Sequence, residues 1–110
     1  MVKIDSAVKE DAFEAIQDLQ KNHGITSIDV VVANAAIANS QPKVADADLE
    51  KIQEHFLVNT IGVVALFQAV LPLLSESEKQ KKFVAISTGA ASIGNMDKRR
   101  IQVSDSLPYF

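Results

Sequence analysis

The stretch I-D-V-V-V-A, from Ile28 to Ala33, decides how the rest of the chain is read. Its β-branched run is not alternated with polar residues, the pattern of a short parallel strand covered on both faces. Working outward, Ala12, Phe13, Ile16 and Leu19 recur at helical spacing between Lys9 and His23. Gly24 is placed to end that helix in the left-handed conformation, and His23 suits the negative end of its dipole. Downstream, Asn39, Ser40, Gln41 and Pro42 form a polar cluster that reads as a loop. A long helix is predicted from Asp48 to Leu74, carrying Leu49, Ile52, Phe56, Ile61, Val64, Phe67 and Leu71, with Pro72 kinking or ending it. F-V-A-I-S, Phe83 to Ser87, makes a second buried strand, and V-K-I-D, Val2 to Asp5, has the pattern of a strand end. From Thr88 to Phe110 no periodicity emerges, and the stretch reads as loop. Strand, helix, strand, helix, strand is the order of an α/β layered fold with a parallel sheet.

Composition sets the outer limits. The 110 residues suffice for one small domain with a core of its own. Hydrophobic residues are 47% and charged residues 23%, ordinary for a globular chain. Eleven Lys and Arg against fourteen Asp and Glu leave a net charge of −3, which offers nucleic acid no electrostatic footing. With no cysteine, disulfide frameworks, thiolate metal sites and thiol nucleophiles are excluded. M-V-K-I-D at the start is not a signal peptide, so a cytoplasmic setting is expected. Leu57 to Leu74 is 18 residues long and mostly apolar, but it contains Asn59, Thr60, Gly62, Gln68 and Pro72. A buried helix, with no membrane contact, is therefore expected.

In parallel α/β sheets, ligands bind at the carboxyl ends of the strands. Three such ends carry polar side chains: Asp5 with Ser6, Asn34 with its neighbours, and Ser87 with Thr88. The same residue types serve ordinary turns, so the pattern alone gives a binding edge and no chemistry. No cluster of Asp, Glu and His has metal-ligand spacing. His55 reads as a helix surface residue, and Lys98, Arg99 and Arg100 as a solvated loop.

Four stretches together resemble the short-chain dehydrogenase/reductase family. V-K-I-D resembles its third strand, and D-V-V-V-A-N-A-A-I, Asp29 to Ile37, its fourth strand with the N-N-A-G turn. F-L-V-N-T-I-G, Phe56 to Gly62, resembles the helix motif of the catalytic Asn, and F-V-A-I-S-T-G-A-A-S-I-G, Phe83 to Gly94, the fifth strand and catalytic Ser loop. The wording G-A-A-S-I-G is similar to a fungal subgroup of polyketide ketoreductases. The resemblance implies part of a doubly wound Rossmann-type sheet. It also implies an oxidoreductase moving hydride between NADP or NAD, with NADP favoured by the subgroup, and a small carbonyl or alcohol. A homo-oligomer is implied where the full-length domain exists.

Carried over by position, the resemblance makes Asn59 the catalytic Asn, holding a water in a proton relay. It makes Thr88 or Ser87 the hydroxyl that polarises the substrate, and Tyr109 the proton donor. Asp5 becomes the adenine contact, and Asn34, Ala35 and Ala36 the cofactor turn. Ala33 and Ala36 replace the first Asn and the Gly of N-N-A-G, and Thr88 stands where Ser is usual. The glycine-rich phosphate turn and the Lys that follows the family's Tyr are not among the 110 residues. The expectation is accordingly a single incomplete dinucleotide-binding domain over residues 1–110, inactive on its own. The alternative is a non-catalytic α/β remnant or binding module.

Overall fold

The computed structural model describes residues 1–39, 42–92 and 94. Helix α1 spans Lys9–Asn22, strand β1 Val30–Ala33, helix α2 Leu49–Phe56, helix α3 Gly62–Ser75 and strand β2 Lys82–Ala85. Between α2 and α3, Leu57–Ile61 form a π-helical segment, so one helical rod runs from Leu49 to Ser75. Short 3₁₀ turns occupy Val44–Asp46 and Gly89–Ala91.

The two strands pair in parallel, with Val30 opposite Lys82 and Ala33 opposite Ala85. Backbone bonds extend the pairing at both ends: Lys82 N–H donates to the Asp29 carbonyl at 2.9 Å, and Ile86 N–H to the Ala33 carbonyl at 3.0 Å. The strands therefore leave the sheet side by side, and whatever follows Ala33 lies next to whatever follows Ile86.

Among the described residues, Val2 to Asp5 joins no strand, against expectation. In a doubly wound sheet this segment is separated from β1 by two further strands, and neither is present among the described residues. Its backbone turns instead into α1: Val8 N–H reaches the Asp5 carbonyl at 3.0 Å, and Ala7 N–H the Asp5 carboxylate at 2.9 Å. At the far end of α1, Gly24 adopts φ +64°, the left-handed conformation only glycine takes freely, and Ile25 N–H returns to the Leu19 carbonyl.

The core forms where α1 lies against α3 on one face of the sheet. Ala12, Ile16, Ala69, Val70, Leu73 and Leu74 are its buried members, with Leu19, Ile28, Val31, Leu66 and Phe83 packed around them. Phe67 meets Phe83 edge-on, ring centres 5.1 Å apart. Most of the apolar face inferred for the long helix proves to be its outer side, Ile52 and Ile61 being half-buried. Leu49, Phe56, Val64, Phe67 and Leu71 are exposed, whereas Val58, Ala65, Ala69, Val70, Leu73 and Leu74 are buried. Phe13 of α1 is likewise exposed and Ala15 buried. Size misled: α3 is apolar nearly all round, and close approach of two helices favours small residues such as Ala12 and Ala69. By length and composition the rod from Leu49 to Ser75 is able to cross a membrane; here it carries the core. Pro72 neither breaks it nor ends it at once, since α3 continues to Ser75 and Lys81 Nζ then caps the Ser75 carbonyl at 2.7 Å.

The strands are covered on one face only. Val30 and Val32 in β1, and Val84 and Ile86 at β2, stay exposed on the other face. The uninterrupted β-branched run fits a two-sided burial that these residues do not supply among themselves.

The amino edge of the sheet is braced by a polar group. Ser77 Oγ donates to Asp29 at 2.5 Å, and Lys79 Nζ lies 3.3 Å from the same carboxylate. The Ser77 bond and then Lys79 hold the Asp29 pKa below its usual 3.8. A depressed carboxylate stabilises the fold fully above the unfolded value and loses that contribution as pH falls through the native one. Asp29→Asn should therefore flatten the acid limb of a stability-against-pH curve below about pH 4, with little change in its shape at neutral pH. Thermal unfolding of both proteins across that range checks it, and two acid limbs of identical slope would refute it.

Candidate active site

The site is built where β1 ends. After Ala33 the chain enters N-A-A-I-A-N, Asn34 to Asn39, a segment without regular structure lying beside the helical rod. Asn59 fastens it. Its Oδ1 accepts the Ile37 N–H at 2.8 Å and its Nδ2 donates to the Ile37 carbonyl at 2.9 Å. One side-chain amide thus satisfies both backbone groups of one residue 22 positions away. Asn59 is the middle residue of the π segment Leu57–Ile61, in which Gly62 N–H closes a wide turn on the Leu57 carbonyl. A single π turn within an α-helix often marks a functional position, and here it holds the residue that leaves the helix to grip the loop.

A second side chain grips the same loop. His55 Nε2 lies 3.2 Å from the Asn39 N–H, and His55 Nδ1 lies 2.7 Å from the Lys51 carbonyl. The residue is only 8% exposed, so its reading as a surface histidine is corrected. The signal was present in H-F-L-V-N, where His55 and Asn59 stand four apart and so share a helix face.

A cleft of about 190 Å³ opens at the carboxyl end of β1, lined by Ile4, Ser6, Val32, Asn34, Ala35, Val58 and Leu66, among others. Gly62 lies in its wall because the first segment passes very close. A Cβ there would stand 2.7 Å from the Ser6 carbonyl oxygen, so the approach requires glycine. The sequence marks Ser6 as a strand-end polar residue beside Asp5 and Gly62 as the last residue of F-L-V-N-T-I-G, but not their close approach. Asp5 lies beside the cleft, but its carboxylate accepts the Ala7 N–H, and its own N–H donates to Asp11 Oδ2 at 3.0 Å. That geometry belongs to the turn leading into α1.

The structure thus gathers Asn34 and Ala35 in the cleft, with Asn59 fastening Ile37 just beyond it. Ala36 lies between them in the same exposed loop. Ser87 and Thr88 are exposed and follow directly after the Ile86–Ala33 bond, so they occupy the same carboxyl edge. The Thr88 carbonyl accepts the Ala91 N–H at 3.1 Å, opening the 3₁₀ turn Gly89–Ala91. Tyr109, the Lys98–Arg100 cluster and the loop from Met96 to Leu107 lie outside the described residues. Among the described residues no cluster of His, Asp or Glu is able to hold a metal ion.

Residues 1–104 match a family model described as enoyl-(acyl carrier protein) reductase. The chain belongs to the short-chain dehydrogenase/reductase family. It is 42% identical over 96 residues to norsolorinic acid ketoreductase of Aspergillus parasiticus, a match covering 87% of this chain and 35% of that protein. It is 41% identical over 98 residues to a short chain dehydrogenase of Penicillium aethiopicum, covering 87% of this chain and 39% of the relative. The chain therefore spans little more than a third of the length of these curated relatives. Its fold superimposes on an NADPH-bound carbonyl reductase from chicken fatty liver with a TM-score of 0.78 at 21% identity, over 94% of this chain and 43% of that one. The α/β parallel-sheet fold read from the strand pattern, and the partial Rossmann-type architecture implied by the resemblance, are thereby shown, two of the three expected strands being formed among the described residues.

Asn59→Ala should leave both backbone groups of Ile37 without their partner and lower unfolding stability by about 2–3 kcal/mol. Asn59→Asp should not rescue it, because a carboxylate oxygen then faces the Ile37 carbonyl. Urea unfolding of both variants measures this, and Asn59→Ala indistinguishable from the parent would show the clamp to be idle.

Proposed function

We propose that this chain supplies the catalytic-Asn and hydroxyl portion of an NAD(P)-dependent carbonyl reductase that acts on an aromatic, polyketide-type ketone. The observation carrying this is the Asn59 clamp: it holds the exit of β1 in place beside Ser87 and Thr88 on one sheet edge. The substrate class rests on the identity shared with the norsolorinic acid ketoreductase, and the preference for NADPH over NADH on the same subgroup likeness.

The described residues fit one end of a dinucleotide. The cleft offers apolar walls from Val32, Val58 and Leu66 and polar groups from Ser6 and Asn34. At about 190 Å³ it is smaller than the roughly 300–1,000 Å³ of whole ligand pockets, so it takes one ring system and not two. None of Gly24, Gly62, Gly89 and Gly94 sits in a glycine-rich phosphate turn. When bound, the reduced dinucleotide supplies a hydride. The chain's own residues would do the rest. Ser87 or Thr88 donates a hydrogen bond to the substrate carbonyl, Tyr109 delivers the proton to its oxygen, and Asn59 steadies a water in the proton relay. With its amide committed to Ile37, Asn59 keeps one Nδ2 hydrogen and one Oδ1 lone pair for that water. Asn34 and Ala35, with Asp5 and Ala36 beside them, border the bound cofactor. The small cleft also supports the proposal that these 110 residues by themselves do not turn over.

Two arms test the reading. The 110-residue chain, titrated with NADPH and NADH while nicotinamide fluorescence is followed, should show neither saturable binding nor ketone reduction. Residues 1–94 exchanged into the matching span of the Aspergillus parasiticus ketoreductase should retain NADPH-dependent reduction. In that chimera Asn59→Ala should lower kcat more than it weakens NADPH binding. A folded chimera that binds NADPH but reduces nothing would favour the non-catalytic alternative.

A further inference from the structure

His55 is a buried, chemically versatile side chain that the proposed mechanism does not use. Its two ring nitrogens have different partners, and these partners dictate its protonation. A backbone N–H is always a donor, so Nε2, facing the Asn39 N–H at 3.2 Å, has to accept and carries no proton. A backbone carbonyl is always an acceptor, so Nδ1, 2.7 Å from the Lys51 carbonyl, has to donate. In this geometry the ring donates from Nδ1 and accepts at Nε2. It lies one helical turn before Asn59, and together the two side chains hold Ile37 and Asn39, alternate residues of one loop.

We propose that His55 is a positioning residue that uses its unprotonated Nε2 to fasten the loop from Asn34 to Asn39 to the helical rod, and that protonation of the ring releases this fastening. The functional consequence, a loosened wall of the cofactor cleft, rests on the reading given above; the fastening itself does not. A second proton on the ring would set an N–H against the Asn39 N–H, replacing an attraction with a donor–donor contact. The groups surrounding the ring leave little else to titrate. The loop Asn34–Asn39 and the π segment Leu57–Ile61 contain no ionisable residue. On its own helix the charged groups are Asp48, which caps the Glu50 N–H, Glu50 itself, and the ion pair of Lys51 with Glu54 at 3.0 Å. Among the regular elements α2 makes its main contact with the π segment, which carries no ionisable group.

The test uses the 110-residue chain with no dinucleotide present, so a failure of cofactor binding cannot produce or hide the result. Nitrogen-15 shifts of the imidazoles at about pH 8, above ordinary histidine titration, should show His55 Nε2 unprotonated. As the ring becomes protonated, which its own nitrogen-15 shifts report as the pH is lowered, the Asn39 amide protection factor should fall about tenfold, the loss of one hydrogen bond. His55→Gln, whose side-chain oxygen reaches to where Nε2 lies, should keep Asn39 protected and remove the pH dependence. His55→Phe fills the space without an acceptor and should lose the protection at both pH values; should it fail to fold, the glutamine variant and the parent's pH series still decide. A protonated Nε2 at about pH 8, a parent whose Asn39 protection is unchanged once the ring is seen to be protonated, or a glutamine variant that keeps the response would each overturn the proposal.

Discussion

One side-chain amide, that of Asn59, ties the segment leaving β1 to the helical layer at the carboxyl edge of the sheet. Among the described residues the sheet is two strands wide, and the segment leaving β1 has no further strand to bond with. Without Asn59, the Ile37 N–H and carbonyl would have to find partners elsewhere, at a cost comparable to the hydrogen bonds themselves. With it, the loop is tied to the rod of α2 and α3, which is in turn tied to α1 through Ala12, Ile16, Ala69 and Leu73. Asn59 sits at the middle of the π segment, where the helix is locally widened.

The rest of the architecture can be read as support for that tie. Small residues bring α1 and α3 close. The bare Gly62 lets the first segment pass within van der Waals reach of the rod, so Ile4 and Ser6 reach the same cleft as Asn34 and Ala35. At the opposite edge Ser77, Asp29 and Lys79 hold the start of β1 to the turn after α3, so the strand is fastened at both ends. His55 adds a second grip on the loop two residues beyond the first.

Periodicity and breakers made much of this visible in the sequence. The two strands, the helix from Lys9, the left-handed Gly24 and the helix start at Asp48 all follow from local rules, because each is determined by a few neighbouring residues. Asn59 stood out as a polar residue inside an apolar helix, and the family likeness gave it a role. Three features were not legible. The burial of small rather than large apolar residues depends on how closely two helices approach, which is tertiary. The π turn alters helical phase by one residue without a breaker to announce it. Val2 to Asp5 has strand-like residues, but a strand exists only if a neighbour supplies hydrogen bonds, and local sequence says nothing of that. His55 was misjudged for a related reason: its partner, the Asn39 amide, is a backbone group that sequence does not display.

The central claim is that the Asn59 side chain holds Ile37 by two hydrogen bonds at the carboxyl edge of the sheet. Scalar coupling across a hydrogen bond tests it directly, since such coupling exists only between atoms that share one. A long-range HNCO experiment on the labelled chain should connect the Asn59 Nδ2–H to the Ile37 carbonyl carbon, with the Ile37 amide slow to exchange. No coupling, an Asn59 amide exchanging freely with water and an unprotected Ile37 amide would contradict the account.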